Sequence, residues 1–425
     1  MLLIKNGYVI DPQNNLEGKM DILIENGKIK EIASVINQEN NTCNIIDAAG
    51  YIVSSGLVDV HVHFRDPGFT YKEDIFSGAQ AALRGGFTSV VLMANTKPAV
   101  DNEETLKYIM EKGRQTSLKV YTCAAVTKGL AGKELVDIKA LRQSGAAGFT
   151  DDGIPIIDTA LLDQAMRLVA ECGVPISLHE ENPALITNNG INRGKASAHF
   201  GIGGSPREAE YSLIARDLEI ALKTGVILNI QHISTKEGVA LIREAKKRGK
   251  NIYAEATPHH FSLTEEAAIT YGTLAKMNPP LREEEDRRAI IEGLRDGTID
   301  IIATDHAPHS KEEKERPLTE APSGIIGLET ALPLALTNLV GKEGFSIADI
   351  ITLMSCNPAK LYGLKAGTLS VGSAADIVIF DATQVRKAGN YVSKSQNSPF
   401  TGMDLTGVVK YTIVNGEIVY QDKNN

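Results

Sequence analysis

The sequence predicts an α/β protein, a (β/α)8 barrel with a small β-sandwich domain built from both chain termini. Three observations support this fold class. Short apolar runs alternate with helical stretches through the middle of the chain, and both ends alternate apolar and polar residues with the period of a β-strand. Nearly every apolar run in the middle ends in a residue that binds metal or moves a proton, as expected at the carboxyl ends of barrel strands.

The two ends of the chain predict one composite domain, formed by residues 1–54 and 366–425. The segments LLIKNGYVI and DILIENGKIKEIA alternate at period two, and Asn26-Gly27 is a type I′ hairpin signal. Residues 375–380 predict a strand near the other end, and Asn415-Gly416 marks a second hairpin. Residues 55–365 are therefore assigned to the catalytic barrel.

The middle of the chain predicts eight strands with helical stretches between them. The strands are predicted at 52–60, 89–93, 119–125, 146–149, 175–178, 226–230, 251–254 and 300–303. The helices are predicted at 73–84, 103–115, 159–171, 206–222, 236–248 and 284–295. A doubly wound open sheet is the competing fold, but no Gly-x-Gly-x-x-Gly follows the first strand to support it.

Composition narrows the function classes. The 425 residues suit a barrel of roughly 250 residues or more with a satellite domain. A net charge of -9 and a pI near 5.6 argue against nucleic-acid binding. The N-terminus lacks an apolar core with a cleavage site, and no apolar run approaches the roughly 18 residues of a membrane span, so we expect a cytoplasmic protein.

The four scattered cysteines indicate neither disulfides nor a thiolate metal site. The charged run 311–316 predicts a solvated loop.

The stretch GLVDVHVHFRDPG holds the first candidate ligands. Alternation along a strand sends His61 and His63 to the same face, so two imidazoles converge on one point. Such a pair fills two positions on a zinc-like ion. A lone His-x-His is equally compatible with a structural role, in which one histidine caps the strand and the other is a surface polar group, so the decision depends on ligands at later strands.

Further polar residues follow the later strands. They are Asn95, Asp151 with Asp152, His179 with Glu180, His232, His259 with His260, Asp305 with His306, and His309. A single such residue is usually a cap or turn former, but so many around one barrel mouth indicate a site.

Four of the histidines and two carboxylates fit a pair of divalent cations, with zinc as the first candidate. The set is His61, His63, His179, His232, Asp151 and Asp305. One anionic ligand must bridge the ions, and Asp151 stands at the right strand. A carbamylated lysine is the other bridging group, but GAAGFTDDG contains none and Lys139 falls on the preceding helix. Glu180 or Asp152 is expected to orient a ligating imidazole.

A metal pair lowers the pKa of bound water, which leaves a need for a proton shuttle. Asp305 is the candidate for that catalytic role, with a plain fourth ligand or N-cap as its alternative.

The motifs HVHFRDPG, MANT, FTDDG, HEE, QHIST, ATPHH, MNPPLR, TDHAPH and SGIIGLETALPL occur in this order and span essentially the whole chain. Together they resemble the bacterial class I dihydroorotases of the amidohydrolase superfamily. His-x-His and the final Asp are shared across the superfamily, whereas RDPG and TDHAPH are far more specific. The resemblance implies zinc-dependent interconversion of L-dihydroorotate and N-carbamoyl-L-aspartate in de novo pyrimidine synthesis.

The resemblance also implies residue roles. His61 and His63 bind one ion with Asp305, while His179 and His232 bind the second and Asp151 bridges. The substrate-binding residues it implies are Arg65, Asn95 and His309 for the carboxylate, Asn278 for the ring, and the backbone around Ala321, Pro322 and Gly324. The planar donor fork of Arg65 suits a carboxylate, while Asn95 and Asn278 are equally typical turn residues. His199, His259, His260 and His306 have no assigned role.

Two alternatives remain open. Dihydropyrimidinases, hydantoinases and allantoinases resemble this chain in fold but carry a bridging lysine and lack the Arg65 arrangement. A non-catalytic scaffold for aspartate transcarbamoylase is the other alternative, and such proteins usually lack the metal ligands that are present here. The resemblance fits one or two zinc ions and a homo-oligomer.

Overall fold

The computed structural model describes residues 1–37 and 43–423. Strands from both ends of the chain form one eight-stranded sheet. They are β1 Leu2–Asp11, β2 Leu16–Glu25, β3 Lys28–Ala33, β4 Asn44–Asp47, β5 Ile52–Ser55, β13 Ile377–Lys387, β14 Asp404–Val414 and β15 Glu417–Gln421. The order is β15-β14-β13-β5-β1-β2-β3, with β4 also pairing with β1.

Strand β5 joins the two ends of the chain, because it runs parallel to β1 and antiparallel to β13. Residues from both halves of the sheet, such as Ile4, Ile22 and Ile379, pack into one core. Asn26 and Asn415 both adopt positive φ next to glycine, as type I′ hairpins require. The composite β-sandwich is therefore present, while the boundaries at 54/55 and 365/366 stay a prediction.

The middle of the chain forms the barrel. Its named strands are β6 Leu57–Val62, β7 Phe87–Leu92, β8 Lys119–Thr122, β9 Pro175–Leu178, β10 Ile227–Ile230, β11 Ile252–Ala256 and β12 Ile301–Ile302. All pair in parallel, in sequence order. Phe149 occupies the fourth position by bridging Ala124 and Ile176, and a parallel bridge between Val62 and His306 closes the ring.

Two predicted strands need correction. The predicted strand 52–60 is divided at Gly56, where the backbone leaves the sandwich sheet and enters the barrel. The Gly56 N–H donates to Asp376 O, whereas the next N–H, of Leu57, donates to Gly86 O. A Cβ at Gly56 would lie 2.2 Å from the Thr88 side chain, so glycine permits the close approach. The predicted strand 146–149 is reduced to the single bridging residue Phe149.

The predicted barrel helices are found within a few residues of their expected ends. The observed bounds are Ile75–Arg84, Glu103–Gly113, Thr159–Cys172, Arg207–Thr224, Lys236–Arg248 and Glu284–Asp296. Side chains at N-cap positions, including Asp74, Asn102 and Thr235, accept hydrogen bonds from first-turn N–H groups. Their apolar faces pack against the outside of the barrel in one continuous core.

The remaining helical segments are shorter. They are Ile138–Gln143, Lys195–Phe200, Pro258–Ser262, Glu266–Tyr271, Lys311–Lys314, Ala331–Leu334, Ala335–Val340, Gly341–Glu343, Ile347–Ile351, Thr352–Cys356 and Asn357–Leu361, with 3-10 turns at Pro12–Asn14, Lys128–Leu130, Pro183–Leu185 and Gly272–Ala275. Within residues 1–37 and 43–423, no helix has the length and apolarity needed to cross a bilayer. The charged run is not simply a solvated loop, because Lys311–Lys314 is helical and Lys314 is buried.

Candidate active site

Four histidines meet at the carboxyl end of the barrel. His61 lies in β6, His63 follows it, and His179 and His232 follow β9 and β10 by one and two residues. The ring centroids of His61 and His63 are 5.4 Å apart, and those of His179 and His232 are 4.7 Å apart. The two pairs adjoin, since the His61 and His232 centroids are 5.1 Å apart. All four rings are buried.

Asp152 is the carboxylate shared by the two histidine pairs. Ligand atoms of His61, His63 and Asp152 lie within 4.8 Å of one another, as do those of Asp152, His179 and His232. Burial by itself raises the pKa of Asp152, but its contact with His61 and the charges of the surrounding imidazoles outweigh burial and hold that pKa well below its usual range. Asp152 therefore lies between the two histidine pairs, in the place where the sequence analysis expected Asp151.

Asp151 faces away from the histidines, towards the segment after β8. Its carboxylate accepts hydrogen bonds from the N–H of Val126, at 2.7 Å, and from the N–H and hydroxyl of Thr127. Burial raises its pKa to about 6. These bonds fix the loop that follows β8, which is a structural role. The sequence did not distinguish the two aspartates because the fourth strand is too short to set which of them faces the pocket.

Asp305 lies against the first histidine pair. Its Oδ1 is 3.0 Å from His63 Nε2 and 3.6 Å from His61 Nε2. Apart from asparagines, four described non-glycine residues adopt positive φ, and three of them are Arg65, His232 and Asp305. Such backbone costs about 1–3 kcal/mol per residue and concentrates at functional sites. The backbone at these three residues is therefore strained, and this strained conformation sets the direction of their side chains.

The residues present fit a metal cofactor. His61 Nδ1 is 3.0 Å from Glu255 Oε2, so this nitrogen donates and Nε2 carries the lone pair. Within the part of the chain that the structure describes, that buried Nε2 has no hydrogen-bond partner. His63 Nδ1 is likewise 2.9 Å from Asn95 Oδ1. Imidazole nitrogens directed at a shared carboxylate are the donors that zinc and similar ions prefer.

A cavity of about 360 Å³ opens beside the histidines. The sequence-predicted substrate residues all line it, namely Arg65, Asn95, Asn278, His309, Pro322 and Gly324, together with Ala321. The Arg65 Nε donates to Pro308 O at 3.2 Å, and no described carboxylate forms an ion pair with its guanidinium within 4.0 Å. Asn95 also donates to Asp152 Oδ2 at 2.8 Å, so it orients the shared carboxylate as well as lining the cavity.

Two further contacts orient cavity side chains. The Asn278 Nδ2 lies 3.4 Å from His179 Nε2. The His309 Nε2 is 2.8 Å from Ser323 O, while its Nδ1 is 3.3 Å from Lys72 Nζ. Burial and the charge of Arg65 lower the pKa of His309, so this ring is neutral and donates only through Nε2.

Comparison with known proteins identifies the family. The amidohydrolase family model matches residues 52–419. The dihydroorotase of Clostridioides difficile is 54% identical over 420 residues, covering 99% of this chain and 100% of the relative. The dihydroorotase of Clostridium acetobutylicum is 52% identical over 425 residues, with 100% of both chains covered. The dihydroorotase of Lactococcus lactis is 49% identical over 423 residues, covering 99% and 100%.

The chain belongs to the dihydroorotases of the amidohydrolase family. It is a hydrolase that acts on a cyclic amide bond of a small molecule, and its two groups of His and Asp are compatible with a metal cofactor.

Solved structures confirm the predicted fold class. L-hydantoinase (dihydropyrimidinase) from Arthrobacter aurescens has a TM-score of 0.89 at 27% identity, covering 99% of this chain and 96% of that one. D-hydantoinase (dihydropyrimidinase) from Thermus sp. has a TM-score of 0.86 at 26% identity, with the same coverage. This chain, which belongs to the dihydroorotases, therefore shares its fold with hydantoinases.

Sequence reasoning missed Glu255, which holds the Nδ1 of His61. It is fully buried on β11, and its Oε1 accepts from the Asn229 side chain. The sequence did contain a signal for Glu255, because a glutamate next to an apolar barrel strand requires a polar partner if it is buried.

The expected orienting residues also differ from those observed. His179 Nε2 lies 3.4 Å from Glu181, whereas the neighbouring Glu180 is buried beside Asp217.

The unassigned histidines lie outside the two His and Asp groups. His306 accepts from the Gly327 N–H at 3.1 Å, and His260 Nε2 is 3.1 Å from Pro279 O. His259 is buried next to His260, and His199 is exposed on a short helix. The contacts of His306 and His260 give them a role in fixing backbone near the barrel mouth.

Proposed function

We propose that this chain is a zinc-dependent dihydroorotase that cyclises N-carbamoyl-L-aspartate to L-dihydroorotate, reversibly, in de novo pyrimidine (UMP) synthesis. The observation that carries the proposal is the position of Arg65, whose guanidinium forms an ion pair with no carboxylate of the described residues and lies in the same cavity as the two His and Asp groups. A planar guanidinium suits the carboxylate that dihydroorotate carries on its ring. The names of the relatives support the same substrate.

We assign one zinc ion to His61, His63 and Asp305 and a second to His179 and His232, with Asp152 shared. Two ions match the two residue groups that share Asp152. Bound zinc supplies a water of lowered pKa and polarises the carbonyl of the substrate. Glu255 and Asn95 hold the tautomers of His61 and His63 that present Nε2 to the cluster.

Asp305 is the proton carrier in this proposal. In the hydrolytic direction it accepts a proton from the attacking water and delivers it to the ring nitrogen as the amide C–N bond breaks. The carbon retains the hydroxyl group, so the product is a carboxylic acid and a carbamoyl nitrogen. Cyclisation reverses each transfer. Asp305 Oδ1 lies 3.0 Å from His63 Nε2, within the ligand cluster, and the other carboxylate oxygen is the one that carries the proton.

The substrate is oriented by the opposite side of the cavity. Arg65, Asn95 and His309 receive the ring carboxylate, Asn278 contacts the ring, and the Pro322–Gly324 backbone completes the pocket. A hydantoinase or dihydropyrimidinase activity is the second candidate, favoured by the solved structures named above. Their substrates lack the ring carboxylate, so Arg65 distinguishes the two functions. Allantoin is included as a third control substrate, to test for allantoinase activity.

The deciding experiment follows ring opening of dihydroorotate by loss of ultraviolet absorbance, with dihydrouracil, hydantoin and allantoin as controls. Each assay is repeated after chelation and after zinc readdition. Turnover of dihydroorotate alone, lost on chelation and restored by zinc, is the expected result. Turnover of a control substrate instead would replace the proposal with the second candidate, and zinc binding without any turnover would favour a scaffold for aspartate transcarbamoylase.

We further propose a cytoplasmic homo-oligomer that can associate with aspartate transcarbamoylase. The four cysteines are unpaired, which suits a reducing compartment. Size-exclusion chromatography with light scattering, alone and with the transcarbamoylase, tests both assemblies.

A further inference from the structure

Two buried lysines lie beside the substrate cavity. Lys276 is 5% exposed and Lys314 is 4% exposed. Lysine is almost never buried without a charged partner, because desolvating an ammonium is costly. Within residues 1–37 and 43–423, however, no carboxylate lies within 4.0 Å of either ammonium as an ion pair. Glu313 is the acidic residue whose charge acts on Lys314.

Backbone carbonyl groups take the place of a carboxylate. Lys276 Nζ donates to Leu318 O and Ala321 O, both at 2.7 Å. Lys314 Nζ donates to Pro322 O at 2.9 Å and to Gly324 O at 3.0 Å. His309 adds a contact with the carbonyl between them, that of Ser323. Every carbonyl oxygen from residue 321 to residue 324 therefore contacts a buried side-chain donor.

This same segment forms one wall of the substrate cavity. Its geometry is fixed, because Gly324 adopts a φ of 126° and a Cβ there would lie 2.7 Å from the Ala307 Cβ. Carbonyl oxygens carry partial negative charge and would repel a carboxylate that approached them. With three of those oxygens bound by lysines and the fourth by His309, the wall meets an anion with its carbonyl dipoles offset and with the two lysine ammonium groups beside it.

We propose that Lys276 and Lys314 are specificity-determining positioning residues that make residues 321–324 an anion-receiving wall. They hold the carbonyl oxygens away from the substrate carboxylate and add positive potential to the side of the cavity that contains Arg65. The inference rests on the proposed function, in which the substrate is an anion. It adds two residues that contact the wall of the pocket instead of the reacting atoms.

The two substrates of the proposed reaction offer a specific test, because they differ in charge. N-carbamoyl-aspartate carries two carboxylates and dihydroorotate carries one. At about pH 6, below the pKa of about 7 to which burial lowers Lys314, both lysines are charged and their field acts more strongly on the first substrate, so the kinetics are measured at that pH. A role in folding alone would affect both substrates equally, or would lower kcat and the amount of folded protein.

The experiment compares Lys276→Met and Lys314→Met with Lys311→Met. Lys311 is on the same helix as Lys314 but its side chain is 82% exposed and faces Glu315, so it is the matched control. We expect KM for dihydroorotate to rise about 10-fold in each buried-lysine variant, as for the loss of a charged hydrogen bond, with kcat within about 3-fold. The rise for N-carbamoyl-aspartate should be larger, and Lys311→Met should match the wild type.

A Lys314→Gln variant separates charge from hydrogen bonding and serves if the methionine variant fails to fold. Its amide donates to the same carbonyls without a charge, so KM for N-carbamoyl-aspartate should still rise more than KM for dihydroorotate. Equal KM values in folded variants and wild type would overturn the proposal, as would equal rises for the two substrates.

The failure of the proposed function is distinguishable from the failure of this inference. If the wild type does not turn over dihydroorotate, calorimetric Kd values for dihydroorotate in the wild type and Lys314→Met decide the role of the lysine independently. A weaker Kd in the variant supports the anion-receiving wall, and equal Kd values reject it.

Discussion

The two sides of the cavity are built in different ways. On the metal side, short side chains follow directly from the ends of barrel strands, so the barrel itself sets their positions. On the opposite side, Arg65 and Lys276 line the cavity from loops, and Lys314 contacts the carbonyl groups of the cavity wall from a short helix. The first side concentrates carboxylates around imidazoles, whereas the second concentrates cations around backbone carbonyls.

This difference shows how a small substrate is oriented. In the proposed function the ring carboxylate is attracted by the guanidinium of Arg65, and the amide bond that reacts then faces the His and Asp groups, where bound metal would offset the charges of Asp152 and Asp305. Chemistry is assigned to the rigid side and recognition to the loop side, as is usual for barrel enzymes. Substitutions on the two sides should therefore act on different kinetic constants.

The largest effect is expected on the metal side, from Asp305→Asn. Loss of the proton carrier should lower kcat for dihydroorotate about 10³-fold, within the range of general acid–base catalysis. Asparagine tolerates the positive φ of this position, so the fold should be retained. Steady-state kinetics and circular dichroism check both statements. A variant that keeps a tenth of the activity would remove Asp305 from the proton transfer.

The paired aspartates test the composition of the metal side. Asp152→Ala should lose bound zinc, because this carboxylate is common to both ligand groups. Asp151→Ala should keep zinc but lose about 1–3 kcal/mol of stability, because its loss leaves the N–H groups of Val126 and Thr127 without their acceptor. Metal analysis and thermal unfolding of both variants provide the measurement. The opposite pattern would restore Asp151 to the site.

On the recognition side, Arg65→Met should raise KM for dihydroorotate about 10- to 100-fold, the value of a charge-assisted hydrogen bond, and leave kcat nearly constant. Dihydrouracil, which lacks the carboxylate, serves as the reference ligand. Competition assays with both compounds measure the difference. If Arg65→Met lowered kcat as much as it raised KM, Arg65 would take part in the chemical step. The assignment of chemistry to one side of the cavity and recognition to the other would then be wrong.

A smaller effect is expected from Glu255→Gln, because Glu255 contacts His61 and lies outside the two His and Asp groups themselves. The amide cannot reproduce the charge that Glu255 places against His61 Nδ1, so zinc affinity should fall about 10-fold. Titration with a chromogenic chelator measures the affinity without relying on turnover. An unaltered affinity would make Glu255 a packing residue of the barrel interior.

The smallest effect concerns pH and the recognition side. Burial, with the charge of Lys276 added, lowers the pKa of Lys314 to about 7, whereas the unfolded chain keeps this proton up to a pKa of about 10.4. The unfolded state therefore binds more protons between these values, and Lys314 adds stability as pH rises through this window. The Tm of the wild type relative to Lys314→Met should rise by a few degrees from pH 7 to pH 9.5. A constant difference would show that Lys314 keeps its proton in the fold.

The sequence alone determined the barrel, the composite sheet and the gathering of His61, His63, His179, His232 and Asp305. Strand periodicity and hairpin signals are local properties, and a parallel barrel brings all strand ends to one face, so these positions followed from spacing. The two hairpins and most helix ends agree with the structure for the same reason.

Only the tertiary structure decided between Asp151 and Asp152, divided the first predicted strand at Gly56, and paired Glu255 with His61. It also showed that one lysine of a charged run is buried against backbone carbonyls while its neighbour Lys311 is solvated. Each of these outcomes depends on partners distant in the sequence or on backbone that departs from regular alternation. Composition and sequence periodicity predict the type of a secondary-structure element. The burial of a single side chain depends on the residues that pack against it.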